Sequence, residues 1–100
     1  MVTKDEVLEV LKNVYDPEIM MNVVDIGLVY RVEVFPEKIE IEYTLTYPGC
    51  PAGDMISTEI INTVQDFSGI MNVQANLVWD PPWGPDRMSE EARITLGYPI

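Results

Sequence analysis

The chain has no histidine and a single cysteine, Cys50, in 100 residues. Without a second thiol there is no internal disulfide and no resolving cysteine for thioredoxin-type exchange. Without histidine there is no imidazole base to activate the sulfur as in ordinary cysteine hydrolases, and a four-ligand zinc site of Cys and His cannot be assembled. Basic residues are scarce as well, with six Lys and Arg against 17 Asp and Glu and a net charge of -11. That balance argues against nucleic acid, whose binding rests on neutralising phosphates, and against anionic membrane surfaces. Long apolar runs are missing: none approaches the ~20 residues that span a bilayer, and residues 1–6 lack the apolar segment of a secretory signal. A cytoplasmic protein is expected.

What is present suits one small α+β domain over residues 1–100, with 47% apolar residues and nine aromatics to build a modest core. Thr3 with Glu6 three residues on forms a capping-box pattern, and Val7, Leu8, Leu11 and Val14 follow at helical spacing, which predicts a helix over 4–13. It ends before Asp16-Pro17-Glu18, because a residue preceding proline avoids the helical region. Residues 19–26 read as a loop. Strict alternation over 28–35 puts Leu28, Tyr30, Val32 and Val34 on one face and Val29, Arg31, Glu33 and Phe35 on the other. Past the turn Pro36-Glu37-Lys38, a cleaner alternation points Ile39, Ile41, Tyr43, Leu45 and Tyr47 one way and Glu40, Glu42, Thr44 and Thr46 the other.

These two strands form an antiparallel hairpin with one buried face. Ile56, Ile60, Val64 and Phe67 then mark a helix over 52–67, closed by Gly69, and Val73, Ala75, Leu77 and Trp79 mark a third strand. A strand-helix-strand crossover is right-handed, so the third strand runs parallel to the second. After the proline-rich stretch 80–87, Ser89 caps a short last helix. The expected core is helix-strand-strand-helix-strand around a three-stranded mixed sheet, with a short C-terminal helix.

The chemistry concentrates in Pro48-Gly49-Cys50-Pro51. Proline is favoured in the first helical turn, which makes Cys50 the expected N-cap of the second long helix, facing free amide N–H groups that favour thiolate. The plain alternative is a small buried thiol that fills space. Asp16 and Glu18 flank Pro17 and either present oxygens to a cation or are simply solvated. Asp25, in an apolar run, is either a paired or functional carboxylate or an Asx-type turn residue leading into Gly27. Thr44 and Thr46 share the strand face away from the core, where their hydroxyls either serve the cysteine loop or only favour the strand. Trp79 is expected to pack, leaving Trp83 open to a partner. One activated thiol with nearby carboxylates can hold iron, or an iron-sulfur cluster, transiently rather than permanently, so Cys50 is the candidate metal ligand.

Four segments together resemble a known family: Asp16-Pro17-Glu18; Val24-Asp25-Ile26-Gly27-Leu28-Val29; Thr44-Leu45-Thr46 leading to Gly49-Cys50-Pro51; and Asp80-Pro81-Pro82-Trp83 followed by Met88-Ser89. Nearly the whole chain is similar to the SufT- and PaaD-like, or MIP-eighteen, domain. The resemblance implies a fold of the iron-sulfur assembly superfamily type and an accessory or targeting role in iron-sulfur protein maturation rather than an enzyme. It implies that Cys50 is the functional cysteine, that Asp16, Glu18 and Asp25 occupy the acidic motif positions, and that the partners are assembly machinery or client apo-proteins. One thiol per chain is at most a quarter of a four-thiolate set, so a homodimer, small thiols or a client would complete it. Two other readings compete with this one: an acidic adaptor that docks through Trp83, and a hydrolase whose metal is held by Asp16, Glu18 and Asp25.

Overall fold

The computed structural model describes residues 2–97. The elements in chain order are α1 (Lys4–Leu11), β1 (Tyr15–Asp16), β2 (Met21–Asn22), α2 (Val23–Ile26), β3 (Val29–Val34), β4 (Ile39–Tyr43), α3 (Gly53–Ser68), β5 (Val73–Leu77), a 3-10 turn (Pro85–Arg87) and α4 (Glu90–Leu96). The predicted core order and mixed sheet are present: β3 and β4 pair antiparallel, β4 and β5 parallel, in the order β3-β4-β5. α1 begins at the Thr3 capping box, with Thr3 Oγ1 accepting from the Glu6 amide and Glu6 Oε1 accepting from the Thr3 amide. α3 ends at Gly69 in the left-handed region. Val7 and Leu11 of α1, with Ile56, Ile60 and Val64 of α3, pack on Val32, Ile39, Ile41 and Val73 to form the core.

Several expectations are corrected. Residues 19–26 are not an unstructured loop: they carry β2, which pairs with β1, and the four-residue helix α2. α2 is capped by Asn22, whose Oδ1 accepts from the Val24 and Asp25 amides, so Asn22 rather than Asp25 is the Asx residue here. The alternation of β3 is broken by a bulge between Val29 and Arg31, which seats Val29 opposite Tyr43 on the core face. One extra residue on one strand shifts every side chain beyond it by one face.

β4 ends at Tyr43, short of the predicted Tyr47. Leu45 is still buried, but Tyr47 is exposed. Thr44, expected on a wet face, has no solvent exposure at all. Trp79, expected to pack, is exposed, while Trp83 is part-buried, packs against the core and donates its indole N–H to the Ile26 carbonyl at 2.9 Å.

The segment after β5 contains a cis Asp80-Pro81 bond and lies back across the α2–β3 corner. Tyr30 donates to the Pro81 carbonyl at 2.8 Å, Arg87 sits 4.6 Å over the Tyr30 ring, and the Ser89 amide donates to the Asp25 carbonyl at 2.8 Å. α4 then packs on α2. Contact is closest at Gly27, which has φ 87; a Cβ there would overlap the Arg87 carbonyl. Gly49 has a similar φ of 82, with nothing within 4 Å of the same position.

The two glycines therefore separate backbone strain from steric overlap. Gly49→Ala is expected to cost about 1–2 kcal/mol, the left-handed penalty alone. Gly27→Ala adds an overpacking cost of roughly 1–3 kcal/mol against a backbone carbonyl that cannot swing away. Thermal melts should show the larger fall in Tm for Gly27→Ala, by at least about 4 °C beyond that of Gly49→Ala. Equal Tm values would mean that the segment around Arg87 does not rest on Gly27.

Candidate functional site

The turn between β1 and β2 builds one wall of the site. Asp16 is 1% exposed, and its Oδ1 accepts from the Glu18 amide at 2.8 Å while its carbonyl accepts from the Met20 amide. A buried carboxylate needs such donors. Asp16 is thus not solvated; it shapes the turn and aims Glu18. The Glu18 carboxylate meets Tyr47 and Cys50: Tyr47 Oη lies 3.0 Å from Oε2 and Cys50 Sγ 3.8 Å from the same oxygen. Both hydroxyl and thiol donate, and the carboxylate accepts.

Cys50 is 8% exposed and belongs to the buried cluster that includes Leu45 and Ala52. It is not the N-cap of α3. Ala52 holds that position in the right-handed helical region without a side-chain cap, and Cys50 lies two residues earlier, its carbonyl accepting from the Gly53 amide. Pro51 thus sits in a turn ahead of the helix, not in its first turn. The polar neighbour of the sulfur is a carboxylate, which gives the thiol proton an acceptor within reach.

The Tyr47 phenol is raised above its ordinary pKa, first by its hydrogen bond to Glu18, then by desolvation, and further by the charge of Glu18 and by Cys50. Alternation along β4 pointed Tyr47 into the core; Pro48 immediately after it was the signal that the strand had already ended. Tyr47 is the site residue that sequence reasoning missed.

Beside Glu18 opens a cleft of about 420 Å³ lined by Glu18, Ile19, Thr46, Trp83, Met88 and Leu96. Its walls are the β1–β2 turn on one side and the returning C-terminal segment on the other. Thr46 lines the cleft, and Trp83 contributes ring surface while its N–H is already used. Thr44 is buried, and its hydroxyl has no hydrogen-bond partner among the described residues. Asp25 accepts from Asn22 Nδ2 at 2.7 Å and lines a separate recess with Tyr15, Met20, Asn22, Glu91 and Thr95. Among the described residues no three His, Cys, Asp or Glu side chains come together as a metal-holding group. Asp16, Glu18 and Asp25 do not converge on a cation, and the hydrolase reading loses its centre. Among the described residues, too, no helix is long and apolar enough to cross a membrane.

Residues 4–77 match the family model for "Iron-sulfur cluster assembly protein". The chain is 40% identical over 97 residues to an Fe-S protein maturation auxiliary factor of Porphyromonas gingivalis, covering 96% of this chain and 92% of that one. It is also 40% identical over 85 residues to the auxiliary factor SufT of Staphylococcus aureus, covering 84% and 97%. The crystal structure of a domain of unknown function from Bacillus anthracis superposes with a TM-score of 0.89 at 32% identity, covering 94% of this chain and 91% of that one. With the family model spanning most of its length and relatives matching from end to end, the chain belongs to the iron-sulfur cluster assembly family of SufT- and PaaD-like, or MIP-eighteen, domains.

Proposed function

We propose that this protein is an auxiliary factor in the maturation of iron-sulfur proteins, and that it meets its cargo, iron or a cluster in transit, through Cys50. The observation that carries the reading is the meeting of the only thiol with the Glu18 carboxylate at the rim of a cleft. Thiolate is the form that binds iron, and the Glu18 carboxylate is the hydrogen-bond acceptor that orients the Cys50 Sγ–H, at 3.8 Å. Trp83, Met88, Leu96 and Ile19 give the cleft an apolar lining suited to a client segment or another assembly protein. Asp16 acts through Glu18 and is a positioning residue.

Delivery fits this site better than storage. One Cys50 supplies at most a quarter of a four-thiolate set, so the remaining ligands come from small thiols, a client or another chain. Thiolate-ligated clusters are anionic, and a protein of net charge -11 does not favour retaining one. The nearly covered sulfur limits contact with solvent and oxidants between encounters.

Two measurements test the site. Anaerobic reconstitution with iron and sulfide is expected to give a visible chromophore with wild type and none with Cys50→Ser. In cells, Cys50→Ala at equal protein level should lower cluster occupancy of client enzymes. Truncating this small buried side chain costs on the order of 1 kcal/mol, so the variant still folds, with Tm lower by about 4–8 °C. Full client activity in that variant would discard the role of the sulfur and leave the acidic adaptor.

A third measurement concerns Glu18. Because the folded-state pKa of Tyr47 is raised, its neutral form is the one stabilised; that contribution is complete below about pH 10, the unfolded value, and disappears as pH rises through the folded midpoint. The phenolate difference spectrum between wild type and Tyr47→Phe should titrate above the ordinary tyrosine range. In a Glu18→Gln background the midpoint is expected to move down toward about 10. An unmoved midpoint would separate Glu18 from this cluster.

A further inference from the structure

β5 is an edge strand, and it lies in the longest stretch of the chain without Asp, Glu, Lys or Arg, residues 67–79. The opposite edge, β3, is guarded by Arg31, Glu33 and the bulge at Tyr30, devices that discourage strand pairing. β5 has no charge, no proline and no bulge. In its parallel register with β4, the Ile39 amide donates to the Asn72 carbonyl and the Val78 amide to the Tyr43 carbonyl, so the even-numbered residues turn their backbone groups toward β4. Ala75 and Leu77 turn theirs to the open edge, as does the Val73 carbonyl; the Val73 amide is bonded to the Met71 carbonyl at 3.0 Å.

The side chains along this edge are self-complementary. Reflected about Ala75, Gln74 faces Asn76, Val73 faces Leu77, and Met71 faces Trp79. Met71, Leu77 and Trp79 are 67%, 43% and 43% exposed, an apolar row left open on the edge of a highly charged molecule. A two-fold interface requires this symmetry, because each residue i that meets j must also be met as j by i. Charge selects the occupant as well. Two copies, each at -11, repel over most of their surface and can approach without apposing carboxylates along this stretch.

We infer that β5 is the seam of a homodimer, in which β5 pairs antiparallel with β5 of a second copy about a two-fold axis at Ala75, joining two three-stranded sheets into one of six strands. The two Ala75 residues exchange both backbone hydrogen bonds, and each Leu77 amide donates to the other copy's Val73 carbonyl. Leu77 and Trp79 of one copy cover Val73 and Met71 of the other. This dimer has a consequence for the cysteine. With a rise of about 3.3 Å per residue and strands about 4.8 Å apart, the two Tyr43 Cα atoms lie roughly 20 Å apart at opposite ends of the joined sheet. Past Tyr43 the Thr44 amide donates to the Leu28 carbonyl, on the side of β4 away from the seam, as each chain sets out toward its own Cys50. The two thiols serve two separate sites and do not share one cluster.

The inference stands independently of the cysteine's role, and sedimentation and cross-linking test it. Wild type at micromolar concentration should sediment with doubled chain mass, more completely at high salt, where the repulsion between copies is screened. Leu77→Lys, at a position already exposed, should yield monomer with an unchanged circular dichroism spectrum. Ala75→Pro removes an amide that faces the open edge and should do the same. In a Cys50→Ser background, Ala75→Cys should form an intermolecular disulfide on mild oxidation, since residues opposite each other on the axis sit about 5.5 Å apart at Cα, whereas Val78→Cys should not. Wild type that stays monomeric at high salt would overturn the inference. So would a dimer indifferent to Leu77→Lys, or equal cross-linking at residues 75 and 78.

Discussion

The architecture around the site hangs on the end of a helix only four residues long. α2 leaves carbonyls at its C-terminus that its own backbone cannot satisfy, and helix ends buried without partners are costly. The αL turn at Gly27 closes the first of them, with the amides of Gly27 and Leu28 bonding back to the Val24 and Val23 carbonyls. The next two, on Asp25 and Ile26, are taken by the Ser89 amide and the Trp83 indole, donors more than fifty residues away. Each such bond contributes about 1 kcal/mol net, and losing one would strand a buried carbonyl at a greater cost. Gly27 is bare because the Arg87 backbone occupies the space a Cβ would need. The C-terminal segment and α2 therefore fold as one unit, and the cleft exists because they do.

That long-range dependence explains what could be read from residues and what could not. α1 was legible because Thr3 and Glu6 cap it locally, and α3 because its apolar spacing runs over sixteen residues and stops at Gly69. The parallel β4–β5 pairing followed from the handedness of a crossover, a rule that needs no knowledge of side chains. α2 was invisible, since four residues are too few for a periodicity and its stabilising donors lie at the other end of the chain. The exposure of Trp79 was missed for the same reason: which indole finds a carbonyl depends on the path of a proline-rich segment that no pattern encodes.

Some of the residues that meet here could be named from sequence, but not Tyr47 and not the geometry. Asp16, Glu18, Cys50 and Thr46 were all named from sequence, and Glu18 does meet the sulfur. The expected mechanism of that meeting was different, with helix amides in place of a carboxylate. A proline after Cys50 suits both an N-cap at Cys50 and a turn two residues ahead of the cap, and local sequence does not discriminate between them. Asp25 parted from the group because its own side chain is engaged by Asn22 on a different recess, while its carbonyl anchors Ser89. Its place in the motif reflects the corner it builds.

The distribution of charge ties these parts together. Two stretches escape the acidity of the chain: residues 43–53, which carry Tyr47 and Cys50 to the Glu18 carboxylate, and residues 67–79, which carry β5. Elsewhere carboxylates are dense enough that Arg31 is shared among Glu33, Glu40 and Glu42 on the exposed face of the sheet. A uniformly acidic surface would keep the protein soluble but would repel both an anionic cluster and a second copy. Leaving neutral the two segments where contact is needed resolves that conflict: repulsion covers the surfaces that should stay apart, and hydrogen bonding and apolar burial act where they should meet. Among the described residues lining the cleft the exception is Glu18, whose carboxylate accepts the hydrogen bonds of Tyr47 and Cys50.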